Sequence, residues 1–458
     1  MTTNTQVTPA LGGSLFSVLR DRTYRHLFLA QIVALVGTGL ATVALGLLAF
    51  DLAGSDASVV LGTALAIKMI AYVVVAPLAG AYAAHLPRRT MLVALDIARL
   101  AVVLLLPWVD QIWQIYALIF VLQSASAAFT PTFQATIPDV LRAEEDYTKA
   151  LSLSRLAYDL ETLFSPMLAA ALLLFMSYHT LFLGTALGFL GSALLVVSVA
   201  LPKALPTATR LSIRRKLTEG ARIYLRTPRL RGLLALTLSA AAGSAMVIVS
   251  TVLIVRDVFK RPDSSVAFAL AAFGAGSMCM ALLLPRILKR RSDRTVMMGA
   301  ATVLTIILGV LAALWPVLSN DARWIALLAG WLMLGAAYAS LVTPGGRLLR
   351  RSSTEADRPA LFAAQFSLSH ACWLVAYPLV GWLSARAGIA SALFAMAILA
   401  AIGIAAAFTV WPADDRESVE HSHSELPAAH PHLAEAPLAQ GTHSHRYMID
   451  ELHERWPS

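Results

Sequence analysis

Charge is in short supply in this sequence. Asp, Glu, Lys and Arg make up 14% of its 458 residues, against about 25% in soluble domains. That is too little to cover a water-soluble surface. Cysteine is scarcer: only Cys279 and Cys372 occur, which excludes a disulfide framework and a CxxC metal site. Both lie in apolar runs and read as small packing residues. No GxxxxGK[ST] loop is present, which argues against ATP-driven work within the chain. HExxH and GxSxG are missing too, and the apolar runs hold no convincing Ser–His pair. The expectation is a protein that is not an enzyme and carries no resident cofactor.

Apolar residues fill the space. They make up 58% of the chain, and the mean hydropathy is +0.70. They gather in blocks of about twenty or more, the length a helix needs to cross a ~30 Å hydrocarbon layer. In lipid the backbone must satisfy its own hydrogen bonds, so each block is a helix. Twelve spans follow, at 27–51, 58–83, 90–108, 112–133, 149–174, 179–201, 232–256, 264–286, 295–316, 323–343, 360–385 and 388–411. The fold class is an all-α membrane protein with about 12 transmembrane helices in two six-helix, pseudo-symmetric halves. The chain divides into an N-terminal arm (1–26), a first bundle (27–201), a basic linker (202–231), a second bundle (232–411) and a His-rich tail (412–458). The first block follows a polar start and is too long for a signal peptide, so it is expected to stay in the mature protein.

The net charge of +9 sits largely in short connections on one side, which points to orientation rather than nucleic acid. Arg88-Arg89, Arg142 with Lys149, nine Lys or Arg in 202–231, Lys289 to Arg294, and Arg347 to Arg351 all share that side. Both termini and the linker are expected in the cytoplasm, with the chain in the cell (inner or plasma) membrane. The stretch 211–226 reads as an amphipathic helix lying on acidic headgroups. A faint repeat links the halves: Arg89-Thr90-Met91-Leu92 is echoed 205 residues later by Arg294-Thr295-Val296-Met297.

Two sets of six spans, a long basic middle loop and Arg pairs after spans 2 and 8 resemble the major facilitator superfamily, over about residues 20–411. Its gating-loop signature is met by Gly80, Arg88 and Arg89, but Ala84 stands at the Asp position, His85 at a basic one and Pro87 at the second Gly. Ser165-Pro166 followed by small residues is similar to the span-5 signature of the exporter branches, without its glycines. The stretch from Pro131 through Pro138-Asp139 to Ala150-Leu151-Ser152 resembles the 12-span drug and siderophore exporters. The resemblance implies secondary efflux by alternating access, coupled to protons, with a small molecule or metal ion as substrate and lipid as the surrounding partner. The chain is expected to act as a monomer.

An ionisable side chain at mid-bilayer costs about 2.5–3.5 kcal/mol on insertion scales and is usually paired or functional. Glu161 and Asp159 are the candidates for proton coupling. Lys68, Asp96, Arg99 and Arg155 make an intramembrane charge network, in which Arg155 and Asp159, four apart, can pair. Gln31, Gln123 and His370 are cavity candidates that either contact substrate or bridge helices.

Seven of eleven histidines fall in the tail. His421, His423, His430, His432, His443 and His445 form three His-x-His pairs, suited to Ni²⁺ and similar ions. The stretch 412–442 is expected to be disordered, with the last residues docking on the cytoplasmic face. The tail resembles that of the nickel-resistance exporters. Two cargoes therefore stay open, an amphiphilic drug-like compound or a divalent metal. The alternative is a membrane sensor or scaffold that binds metal and transports nothing.

Overall fold

The computed structural model describes residues 15–82, 87–141, 143–201, 213–354, 357–415, 418–422, 442–449, 453 and 456; some side chains within its helices and strands, those of Arg155 and Asp159 among them, fall outside the description. The helices are α1 (Arg22–Ala53), α2 (Ala57–Tyr82), α3 (Arg88–Leu105), α4 (Ile112–Val140), α5 (Glu144–Leu173), α6 (Tyr178–Val197), α7 (Ile213–Arg226), α8 (Pro228–Leu253), α9 (Asp263–Leu288), α10 (Asp293–Leu314), α11 (Asn320–Val342), α12 (Gly345–Arg351), α13 (Arg358–Arg386) and α14 (Ile389–Val410). Twelve are long, six before α7 and six after it. Among the described residues ten stretches are long and apolar enough to cross a membrane, the first of them, Arg22–Val75, running through α1 into α2. The highly charged α5 is not among these stretches, yet it packs within the bundle against α1 and α9.

Local chemistry sets the helix ends. The Asp21 carboxylate accepts from the Tyr24 N–H at 2.8 Å, and Ser292 accepts from Thr295 N–H at 3.2 Å, so each satisfies an orphan donor of a first turn. Gly54 closes α1 at φ 53°, a left-handed conformation that glycine adopts without a Cβ clash. The helix α4 runs on past the expected end at 133, through Pro138 to Val140.

Contacts between connections sort the helix ends onto two faces. On one, here the far face, the Tyr178 hydroxyl donates to Asp51. On the other, the terminal face, Arg89 donates to the carbonyl of Val197 at the end of α6. The second half repeats this bond: Arg294 at the start of α10 donates from Nε to the carbonyl of Trp411 beyond α14, at 3.0 Å. Both arginines thus cap carbonyls that have no partner within their helix. The RT echo in the sequence marks equivalent positions in the two halves.

A neighbouring ion pair is repeated with its polarity reversed. Arg88 of α3 pairs with Asp139 of α4 at 2.8 Å, whereas Asp293 of α10 receives Arg347 of α12, whose Nε lies 3.0 Å from both carboxylate oxygens.

The linker helix α7 buries Ile223 and Tyr224 and packs on α13. Gly220 permits the approach, since a Cβ there would lie 2.6 Å from the Ala360 carbonyl carbon. The expected headgroup-lying helix therefore spends one face on protein.

The tail also departs from expectation. Within the stretch read as disordered, β1 (Ser418–Ser422) pairs antiparallel with β2 (Thr442–Arg446). Tyr447, Ile449 and His453 are buried. Arg229, at the start of α8, pairs with Asp415 at 3.2 Å and lies 5.0 Å from the Trp456 ring centre. The described residues at the two ends of the tail, Asp415 and Trp456, thus meet at the start of α8, on the terminal face of the second half.

Candidate functional site

Lys68 lies eleven residues after the first residue of α2, and Gln123 eleven after the first of α4. Glu161 lies twelve before the last residue of α5. All three helix ends are on the far face. At 1.5 Å per residue the three side chains branch from one layer, about 17 Å deep, near the middle of a ~30 Å membrane.

Lys68 holds its ammonium 5.6 Å from the centre of the Tyr72 ring, one turn along α2. It also borders a cavity of about 20 Å³ shared with Thr38, Thr42, Gln123, Ser126 and Phe189, room for about one water. The Gln123 Oε1 and Ser126 Oγ are buried without a hydrogen-bond partner among the described residues. Each such atom costs roughly 1–3 kcal/mol if left dry, so the cavity is built for something polar. Glu161 lies against α1, its Oε1 3.3 Å from the place a Cβ on Gly39 would take. Its charge acts on both Lys68 and Tyr72.

The second half completes the layer across a seam between α2 and α13. The Tyr72 ring meets Phe366 at 5.6 Å and His370 at 5.0 Å between centres, both edge to face. His370 Nδ1 is 2.6 Å from the Phe366 carbonyl oxygen. Trp373, one turn on, donates from Nε1 to Ser244 Oγ of α8 at 2.9 Å. Toward the far face the halves are closed. Gly62 of α2 lies so near α13 that a Cβ would sit 2.6 Å from the Tyr377 carbonyl oxygen. Ser58 donates to the Val249 carbonyl at 3.3 Å, and Arg386 reaches Asp56 at 3.3 Å.

The other sequence candidates fall in different places. Asp96 and Arg99 form a buried ion pair on α3, with Ser192 donating to the second Asp96 oxygen at 2.7 Å. The Arg99 guanidinium lies between Phe129 and Phe189, 4.2 and 4.5 Å from their ring centres. That arrangement ties α3 to α4 and α6. Gln31 accepts from Ser154 Oγ at 3.0 Å and bridges α1 to α5. The side chains of Arg155 and Asp159 lie outside the described residues, as do 83–86 of the gating loop; of Gly80 only the helical backbone is described. His423, His430 and His432 lie outside them too; of His421, His443 and His445 only the backbone is described, with His421 paired opposite His443.

Sequence reading passed over Tyr72, Ser126, Phe366 and Trp373. Helical spacing was the available signal: Tyr72 is four residues after Lys68, and His370 four after Phe366, so each pair shares a helix face.

The geometry has known counterparts. The family model described as Major Facilitator Superfamily matches residues 27–318 and 233–446. A Bacillus subtilis (strain 168) protein described as an uncharacterized MFS-type transporter, YfiS, is 25% identical over 282 residues, 59% of this chain. The chain spans 65% of that relative's length, just under two thirds. Among solved structures, an inward-facing bacterial homologue of the human lysosomal transporter Spinster has a TM-score of 0.66 at 12% identity, covering 87% of this chain and 98% of that one. The nucleoside transporter NupG gives 0.65 at 14%, covering 85% and 98%. A bacterial metal transporter gives 0.58 at 14%, covering 87% and 99%. At such identities the likeness is one of fold. The family match, running through both halves, carries the assignment: the chain belongs to the Major Facilitator Superfamily.

Proposed function

We propose that this chain is a secondary transporter that moves a small organic solute out of the cell in exchange for protons, by rocking its two halves about the mid-depth layer. The observation that supports this best is the placing of Glu161: a carboxylate at mid-membrane, beside Lys68 and the seam where the halves meet. A carboxyl group in such a place can load and release a proton as access alternates. The outward direction follows the resemblance of the Ser165-Pro166 segment to exporters. Positive connections on the terminal face argue for the cell membrane with both termini in the cytoplasm, and in that orientation the closed far face is the external one.

Full-length protein in vesicles carrying an internal pH dye tests the reading. A solute gradient is expected to drive proton movement, and Glu161→Gln to abolish it while solute binding persists. Equal proton movement in the variant would remove Glu161 from coupling. If no solute in a broad panel moves, the chain is instead a membrane sensor or scaffold.

One observation favours divalent metal as the cargo or a tail ligand: the register that sets His421 opposite His443, a spacing of about 5 Å between Cβ atoms in a sheet. The same vesicles, loaded with a Ni²⁺-sensitive dye, should then report Ni²⁺ flux that falls in His421→Ala/His443→Ala. Absence of Ni²⁺ flux would exclude metal as cargo.

A further inference from the structure

We infer that the cargo carries an acidic group, a carboxylate or a similar monoanion, held at mid-membrane by Lys68, Gln123 and Ser126 while an apolar or aromatic body lies along Tyr72 and the α13 rings. This deepens the transporter reading and rests on it.

Three observations converge. Lys68 places a cation at the cost of removing it from water, and such charges in a membrane face a partner or a cavity. Among the described residues the Lys68 ammonium has no hydrogen bond or ion pair; it lies over the face of Tyr72. Glu161 acts on it through space but is not among the residues that line the cavity. Lys68 therefore lines the cavity with the donor capacity of its ammonium unspent.

The cavity wall supplies the rest. Gln123 and Ser126 are each 7% exposed, and each brings a buried polar atom without a partner among the described residues. An ammonium has three donors, a primary amide has two and an accepting oxygen, and a hydroxyl has one of each. The unpartnered Gln123 atom is Oε1, an acceptor; Lys68 and Ser126 supply the donors that an anion's oxygens need, and Gln123 joins them when its amide turns to present Nε2. The void itself takes about one water, so in this closed state it holds at most one oxygen of the headgroup and not a whole solute. The solute body must lie elsewhere, and the rings of Tyr72, Phe366 and His370, reached from Lys68 one turn along α2, offer it an aromatic surface outside the void. A bare divalent cation is poorly served by this layer, because the Lys68 charge repels it.

The test uses purified full-length protein and measures thermal stabilisation by a panel of matched aromatic acids, amides and amines (2-naphthoate, 2-naphthamide, 2-naphthylmethylamine and their homologues), with chloride and phosphate as inorganic controls. Acids are expected to stabilise the wild type. Affinity should fall at least tenfold in Lys68→Met and several-fold in Gln123→Leu, and be largely kept in Lys68→Arg. Methionine fills a similar volume without charge, and the arginine variant shows whether the fold tolerates a change at the site. Stabilisation confined to amines or amides, to inorganic anions, or to none of the panel overturns the inference, as does acid binding equal in wild type and Lys68→Met. Failure of the transporter reading looks different: acids that bind through Lys68 but do not cross vesicles leave the anion site standing and remove transport.

Discussion

Single positions decide how closely these helices approach. At Gly39 a Cβ would overlap the Ser165 side chain of α5, so α1 and α5 cross with hydrogen facing hydroxymethyl. The exporter-like signature on α5 has lost its glycines, and the small residue sits on the partner helix instead. Close approach of this kind depends on the sum of two side chains. Gly39→Ala should therefore destabilise the protein by about 1–3 kcal/mol, the usual cost of overpacking. Adding Ser165→Gly should restore most of the loss, as read by thermal unfolding in detergent. Independent, additive losses in the double variant would show that the two positions do not share a contact. Because Glu161 is beside the same crossing, the packing that fixes α5 on α1 also fixes the proposed coupling carboxylate.

At the scale of elements, the two halves use the same joints with different residues. Arg89 and Arg294 cap the ends of α6 and α14 alike, but the adjoining ion pairs run in opposite senses, Arg88 to Asp139 and Asp293 to Arg347. If position and not polarity is what matters, Arg88→Asp with Asp139→Arg should fold about as well as the parent. Each single reversal sets like charges together in a site only 11–12% exposed and should lower the melting temperature. A fully buried pair broken on one side costs about 3–5 kcal/mol, and this pair, partly open to solvent, should cost less. A double variant no better than the singles would show that polarity is fixed by something beyond the pair. The spans were legible in the sequence because lipid imposes a length and a composition on each. The α4 end was misjudged: the apolar run stops near 133, while the helix carries on through Pro138 to Val140. Lys68, Gln123 and Glu161 stood out as polar residues in apolar runs, but nothing in the sequence told them apart from Asp96 and Arg99. That separation comes from partners distant in sequence: Ser192, Phe129 and Phe189 enclose Asp96 and Arg99, whereas Lys68 and Gln123 border a cavity. The tail pairing was hidden because β1 and β2 carry histidines and serines with no apolar alternation.

Across the whole molecule, alternating access needs a seal that can open, and the far-face seal rests on glycine. A Cβ on Gly381 of α13 would run into the Ser58 carbonyl of α2, with its carbon at 3.1 Å, and would crowd Gly62 at 3.4 Å. The linker helix and the described ends of the tail both brace the opposite face of the second half. Bulk added at Gly381 should therefore part the halves at the far face and leave the second half intact. Gly381→Val is expected to shift the population toward a state open on that face. Ser58, 1% exposed, is a suitable reporter as Ser58→Cys in a Cys279→Ser background, treated with a membrane-impermeant maleimide. A shift of about 1.4 kcal/mol would raise the labelling rate tenfold. Labelling from outside intact cells is required by the orientation proposed above, and reaction only after permeabilisation would invert it. A folded Gly381→Val protein labelled no faster than its parent would mean that the α2–α13 contact is not the moving seal. In that case the opening would have to involve α5 and α9, another pair of helices that joins the two halves.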